Sequence, residues 1–303
     1  MENEGVSVVV TAYNVAEYIE ECIDSIYRQT LFKKGQNWEV LIGIDHCEKT
    51  LDKIQSIKHK YPGIKIFYMP NNVGTYITTN TLISKSKYDK ILRFDSDDIM
   101  KETMVENMVE AMQTVAESKI ILCYYETFSL KKDDKPRKTW AHGVFLFKKS
   151  IYEKYGGFMP WRCGADTEFL TRLKDETPAI TFPIALFYRR VHDDSLTRKK
   201  ETSMQSEIRK KYKKYIKEIS PTTPVIKTIT TQCEEIGIEI PKQPNEIETC
   251  SEKIVLLPSL KIEEKIEEKQ TIKRRKYVKQ IASHKKIIKK YRQAHIMECK
   301  SKP

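Results

Sequence analysis

An α/β fold with a mostly parallel central sheet flanked by helices is what this sequence predicts, followed by a basic, mainly helical C-terminal extension. Three observations predict it. Short apolar, largely β-branched runs alternate with amphipathic stretches over the first two thirds, the pattern of parallel strands joined by helical crossovers. Polar residues stand at the carboxyl ends of three of those strands, at Thr11, Asp45 and Asp95, where ligands of such sheets bind. The charge divides the chain: residues 1–198 hold 28 Lys and Arg against 28 Asp and Glu, whereas residues 199–303 hold 26 against 14. The whole net charge of +12 therefore lies in the last third, and the overall basicity says nothing about what the first two thirds bind.

Each element follows from a local pattern. Val6 to Thr11 is a continuous β-branched run and reads as a buried strand. Between Ala16 and Arg28, Tyr18, Ile19, Cys22, Ile23 and Ile26 recur at helical spacing, and Asn14 is a candidate cap for that helix. Trp38 to Ile44 is the next strand, ending at Asp45, and Leu51 to Lys60 places Leu51, Ile54 and Ile57 on one helical face. Ile64 to Met69 is a third strand, and the Thr-rich stretch Thr75 to Lys85 reads as a helix. A fourth strand runs from Lys90 to Phe94, a well-patterned helix from Lys101 to Ala116, and a fifth strand from Ile120 to Tyr125. Beyond Thr139 come a short strand at Gly143 to Phe147, a glycine and aromatic loop at 155–161, a helix from about Ala165, and two strand-like pieces around Pro183. The predicted division is a neutral body at 1–198, a basic helical segment at 199–219, a Pro/Thr/Glu-rich linker at 220–260 and an amphipathic basic helix at 261–303.

Composition bounds the function. With 303 residues, 40% of them hydrophobic, the chain can bury a sizeable core. It has no run of 18 apolar residues. Its acidic start, Met1-Glu2-Asn3-Glu4, is the wrong lead for a signal peptide. Seven cysteines at irregular spacing, with no CxxC, point to reduced thiols. The expected location is the cytoplasm, with the C-terminal helix available for peripheral attachment to a membrane or for self-association. The same helix has ten Lys or Arg between Lys273 and Arg292 and could meet a polyanion, although nucleic acid is not the expected partner.

The chemistry concentrates at Ile91-Leu92-Arg93-Phe94-Asp95-Ser96-Asp97-Asp98, an apolar strand running into carboxylates. On an extended backbone Asp95 and Asp97 point to one side, where they repel unless a cation lies between them. Oxygen ligands of this type suit Mg²⁺ or Mn²⁺, which complete their shell with substrate phosphates. The alternative is a solvated acidic turn capping a following helix.

Several segments together resemble a family 2 glycosyltransferase of the GT-A (Rossmann-like) fold, over about residues 1–198. They are Val6-Ser7-Val8-Val9-Val10-Thr11-Ala12-Tyr13-Asn14, Gly43-Ile44-Asp45, Asn72-Val73-Gly74, Phe94-Asp95-Ser96-Asp97-Asp98, Gly156-Gly157-Phe158, Ala165-Asp166-Thr167-Glu168 and Tyr188-Arg189-Arg190-Val191-His192. Each is weak alone, but their order and approximate spacing match the family's. The resemblance implies an inverting, metal-dependent enzyme of hexosyl- or N-acetylhexosaminyltransferase type. It would move a sugar from a nucleotide-sugar, commonly a UDP-sugar, to a hydroxyl acceptor on a glycan, a lipid-linked chain or a protein.

Carried over to this sequence, the resemblance implies that Thr11, Tyr13 and Asp45 line the base and ribose pocket, and that Asp95 and Asp97 form the DXD motif. Asp97 is then the metal ligand and Asp95 a ribose contact. Asp166 matches the general base, with Glu168 as fallback; a plain helix-capping role for Asp166 is the other reading. His192 resembles a residue of a mobile loop that can join the metal, or else is structural. Arg189 or Arg190 would meet the diphosphate. Trp161 and Arg162 stand where the acceptor binds, unless Trp161 belongs to the core. The chain departs from the family at Thr78-Thr79-Asn80, where Ala-Arg-Asn is frequent, and at Ala165, where the family has Glu. Two other readings are an inactive glycosyltransferase-like scaffold and a binding protein that works through the basic tail.

Overall fold

β1 (Val6–Ala12) and β2 (Trp38–Ile44) are almost wholly buried, as continuous apolar runs must be when helices cover both faces of a parallel sheet. In the computed structural model, which describes residues 3–115, 119–129, 138–177, 179–218 and 222–236, they pair in parallel. Between them lie α1 (Ile19–Tyr27) and the single turn α2 (Thr30–Lys33). Then follow α3 (Glu48–Ile57), β3 (Lys65–Tyr68), α4 (Thr75–Lys85), β4 (Lys90–Asp95), the short β5 (Ile99–Met100) and α5 (Met104–Thr114). The second half holds β6 (Ile120–Ser129), β7 (Lys138–Lys148), α6 (Lys149–Tyr155), α7 (Ala165–Arg172), β8 (Ala179–Val191), α8 (Glu207–Glu218) and β9 (Glu234–Ile236).

The sheet order is β5-β8-β6-β7-β4-β1-β2-β3-β9. The block β4-β1-β2-β3 is parallel, as the alternating pattern predicts, and β6 pairs in parallel with β8. Antiparallel β7 joins these two blocks by inserting between β4 and β6. The predicted short strand at 143–147 is thus the second half of an eleven-residue strand. The two pieces expected around Pro183 are one strand, β8, whose register against β6 shifts between Phe182 and Ala185. That irregularity accommodates a proline, which cannot donate to a ladder.

The Thr-rich α4 lacks a strong hydrophobic stripe and is nevertheless buried along Tyr76 to Ile83. Two of its hydroxyls are satisfied internally: Thr79 Oγ1 donates to the Thr75 carbonyl at 2.8 Å and Thr81 Oγ1 to Ile77 at 2.9 Å. It lies so close on the sheet that a Cβ at Gly43 would fall 2.6 Å from Thr78 Cγ2. The core beneath it is aromatic, with Phe145, Phe147, Phe158 and Phe169 in mutual ring contact.

Residues 222–236, the described part of the predicted 220–260 linker, pack against the body. The described residues up to Ile236 belong to one compact unit. Residues 222–231 strap across the body through backbone and side-chain bonds. The carbonyl of Pro224 accepts from Arg172, Ile226 N donates to the Tyr155 carbonyl, Thr228 Oγ1 accepts from Gly157 N, and the Ile229 carbonyl accepts from Asn80 Nδ2. Thr231 N then donates to Thr81 Oγ1, and β9 closes the exposed edge of β3. A Pro/Thr-rich composition looks like a linker because its apolar residues show no period. The strap is held chiefly by its backbone, which composition does not report. Truncation after Arg198 is accordingly expected to lower the melting temperature by about 10 °C, from several net hydrogen bonds of about 1 kcal/mol each. A truncated chain melting with the full one would keep the boundary at 198. The rest of the predicted linker, from residue 237, and the predicted helix at 261–303 lie outside the described residues. No helix among the described residues is long and apolar enough to cross a membrane.

Candidate functional site

A cleft of about 760 Å³ opens at the carboxyl ends of β1, β2 and β4, within the size range of small-molecule sites. Thr11, Tyr13, Asp45, Asp95, Asp97, Arg162, Asp166, Arg189, Arg190 and His192 all line it; of the predicted site residues only Trp161 does not.

The first wall comes from the ends of β1 and β2. Thr11 and Thr75 share a hydroxyl hydrogen bond of 2.7 Å, and Tyr13 stands half exposed at the rim. Asn14 is not the predicted helix cap. It turns the chain with φ +55°, a conformation asparagine tolerates, and α1 begins only at Ile19. Asp45 is buried, accepting from the amides of Val73 at 2.7 Å and Gly74 at 2.9 Å. Burial pushes its carboxyl above the usual range, against the pull of those two amides.

The floor is the acidic run. β4 ends at Asp95, and Asp98 N donates back to the Asp95 carbonyl, so 95–98 is a turn rather than an extended strand. Asp95, Asp97 and Asp98 all still line the cleft, and the buried Asp98 also accepts from the amide of Arg190 at 2.8 Å. Burial, with Asp97 and Asp95 adjoining, holds the Asp98 carboxyl well above the usual range. The run caps no helix: β5 follows directly and α5 starts at Met104. Asp97 Oδ2 meets His192 Nε2 at 2.8 Å. Among the described residues no three His, Cys, Asp or Glu side chains form a ready cage for a cation. The donor set, one or two carboxylates and an imidazole beside open cleft, nonetheless fits Mg²⁺ or Mn²⁺, whose shells are often completed by substrate phosphates.

The third wall is the start of α7. Asp166 does not cap α7, which starts at Ala165 after Gly164; it is the second helical residue, its Oδ1 accepts from Thr167 N at 2.7 Å, and its second oxygen remains for the cleft. Asp166 Oδ2, Asp95 Oδ2 and Arg93 Nη1 all lie within 3.4 Å of the point where a Cβ on Gly143 would sit. Glu168 is no substitute base. It is fully buried, paired to Arg172 at 2.8 Å behind the helix.

The two arginines of β8 separate. Arg189 lines the cleft, donating to Tyr125 Oη and Thr197 Oγ1, both at 3.2 Å. Arg190 touches the wall, but its guanidinium is committed to the Asp97 carbonyl at 3.0 Å and to Glu21. It is therefore not the free phosphate ligand the sequence suggested. Trp161 is corrected as well. Tyr212 of α8 stacks on it at 4.2 Å with the rings 1° from parallel, and Tyr215 meets it edge-on at 5.3 Å. The indole face expected for a sugar is covered.

Sequence reasoning passed over Arg93, Arg209 and Lys213. Arg93 is the important one. It is buried, pairs with Asp95 Oδ1 at 2.9 Å, donates to the Gly143 carbonyl and lies over the Tyr76 ring at 5.7 Å. A charged residue two before Asp95 in an apolar strand was the available signal, since it shares Asp95's face and must be paired. Arg93→Met is expected to lower turnover roughly tenfold or more by misplacing both carboxylates. Removing its charge also raises the Asp95 carboxyl further, because Arg93 is what now lowers it. The acid limb of the pH–rate profile is expected to move to higher pH, with partial rescue by Arg93→Lys. An unmoved limb would reduce Arg93 to packing.

Comparison with known proteins identifies the family and the fold. The model of the family described as Glycosyl transferase family 2 matches residues 7–196. The chain is 31% identical over 124 residues to the glycosyltransferase GlyG of Streptococcus pneumoniae, spanning 41% of this chain and 40% of that protein. It is 32% identical over 123 residues to the chondroitin synthase of Pasteurella multocida, spanning 40% of this chain and 12% of that one. The matched region is thus less than half the length of these relatives. Among solved structures, S. aureus TarS 1–349 in complex with UDP superposes with a TM-score of 0.52 at 16% identity, covering 70% of this chain and 69% of that one. Mannosyltransferase PcManGT from Pyrobaculum calidifontis, in complex with GDP-Man and Mn²⁺, gives 0.55 at 16% identity, covering 72% and 71%. At such identities these two likenesses speak for the GT-A fold alone.

Proposed function

Because this chain belongs to glycosyl transferase family 2, we propose that it transfers a sugar from a UDP-sugar to an acceptor hydroxyl with inversion, using Asp166 as general base. The observation that carries this is the convergence of Asp95 and Asp166 oxygens on the space that Gly143 leaves open, in a cleft that also holds Asp97 and His192. Thr11, Tyr13 and Asp45 would receive the nucleoside, Asp95 the ribose, and Arg189 the diphosphate through a charge-assisted hydrogen bond. Asp97 and His192 would hold Mn²⁺ or Mg²⁺. Such an ion supplies Lewis-acid neutralisation of the leaving diphosphate.

The chain's own residues do the rest. Asp166 Oδ2 takes the proton from the acceptor hydroxyl as that oxygen bonds to the anomeric carbon. The bond from that carbon to the phosphate oxygen breaks on the opposite side, and its electron pair leaves with UDP. Thr167 N, bonded to Asp166 Oδ1, fixes the carboxylate so that one oxygen stays directed at the acceptor. The UDP named with TarS and the GDP-Man named with PcManGT support a nucleotide-sugar donor without choosing between the bases.

The test is nucleotide release from a panel of UDP- and GDP-sugars, with Mn²⁺ and with chelator. Metal-dependent release from one donor is expected. No release from any donor, together with no binding of UDP in the presence of Mn²⁺, would overturn the reading and favour a scaffold.

A further inference from the structure

The charges of the cleft are segregated. Its floor carries Asp95, Asp97 and Asp166, whereas residues 199–216 on the outer wall bring Lys199, Arg209 and Lys213 to it. The acids lining that side of the cleft are fewer: Asp194, just before the stretch, stands 3.8 Å from Lys199, and Glu201 within it is exposed. α8 repeats the bias, with Arg209, Lys210, Lys211, Lys213, Lys214 and Lys217 against Glu207 and Glu218, of which Glu207 is taken by Lys210 at 2.6 Å.

This basic wall lies on the side of the base. Arg209 donates from Nε to the Thr202 carbonyl at 2.9 Å, and its Nη1 lies 3.8 Å from where a Cβ on Gly164 would be, two residues before Asp166. Arg209 and Asp166 are the charged groups felt by the neighbouring Cys163 thiol. Arg162, exposed on the same loop, donates to Asn72 Oδ1 at 2.8 Å. In an inverting transfer the acceptor approaches opposite the leaving diphosphate, so what flanks Asp166 meets the acceptor. The stack of Tyr212 on Trp161 fixes α8, and with it the cations, in that position.

We propose that the acceptor is an anionic glycan, whose carboxylate or phosphate groups are held by Lys199, Arg209, Lys213 and Arg162 while one hydroxyl reaches Asp166. This rests on the transferase reading above. Cations on a cleft rim steer a polyanion and make its binding salt-dependent.

The test uses the full chain with UDP and Mn²⁺. Titration calorimetry compares oligoalginate, inorganic polyphosphate and neutral dextran oligosaccharides of equal length. Binding of either anionic ladder and not of dextran is expected, and the preferred ladder names the anionic group. The double variant Lys199→Glu, Lys213→Glu is expected to lose about tenfold or more in affinity, and Lys211→Glu, Lys217→Glu, the same charge change off the cleft, less than about threefold. Equal losses in both would overturn the proposal in favour of diffuse attraction. So would tighter binding to phosphatidylserine vesicles or single-stranded RNA than to either ladder. UDP binding measured alongside separates the failures. Its absence would sink the donor reading, whereas UDP binding without any anionic ladder binding would sink this inference alone.

Discussion

Asp166→Asn is expected to lower turnover by about three orders of magnitude while UDP binding in the presence of Mn²⁺ stays near that of the parent protein. A positioned general base contributes about 10²–10⁴ in rate. Asparagine has the same outline, and its side-chain carbonyl can still accept from Thr167 N, so the start of α7 is preserved. What it lacks is a site for the acceptor's proton. The assay is steady-state nucleotide release with saturating donor, beside calorimetric UDP titration and a thermal melt. Full activity in this variant would move the base elsewhere, though not to Glu168, which is sealed against Arg172.

Asp97→Asn is expected to abolish metal-dependent turnover, with no measurable response to Mn²⁺ over the range that saturates the parent protein. Asparagine preserves a hydrogen bond to His192 but not the anionic oxygen a hard cation needs. The fold should not suffer. Asp97 is one of the charges that push the Asp95 and Asp98 carboxyls upward, so its neutralisation relieves repulsion on the floor. The sign is clear: a carboxyl raised above its unfolded value costs stability once pH exceeds that value, and removing a cause of the rise returns part of it. The variant is therefore expected to melt no lower than the parent protein at neutral pH. Normal Mn²⁺ dependence would remove the metal site from Asp97, whereas a large drop in melting temperature would make it a structural residue.

Periodicity made most of the fold legible. Buried parallel strands are written as unbroken β-branched runs, and Val6–Ala12 and Trp38–Ile44 appear where those runs stand. The insertion of β7 between β4 and β6 was not legible, because strand order depends on which edges meet after collapse and not on any residue's propensity. The cleft is divided in the same way. Residues just past strand ends are placed by topology, which is why Asp45, Asp95 and Asp97 could be named in advance. Arg189 and Arg190 are adjacent and alike in sequence. Alternation along β8 sends one to the cleft and the other to Glu21, and only the built strand decides which.

What the sequence determined by itself is therefore local and periodic: strand runs, helical faces, the turn of carboxylates after β4 and the asymmetry of charge. What only the tertiary structure decided is long-range. The strap at 222–231 reaches Asn80 and Arg172 across more than fifty residues of chain, Tyr212 covers Trp161, and Gly143 clears the space where Arg93, Asp95 and Asp166 meet. The physical reason is common to all three. Each juxtaposition is held by packing and by backbone hydrogen bonds between segments far apart in the chain, and neither leaves a period or a composition in the segment that makes it.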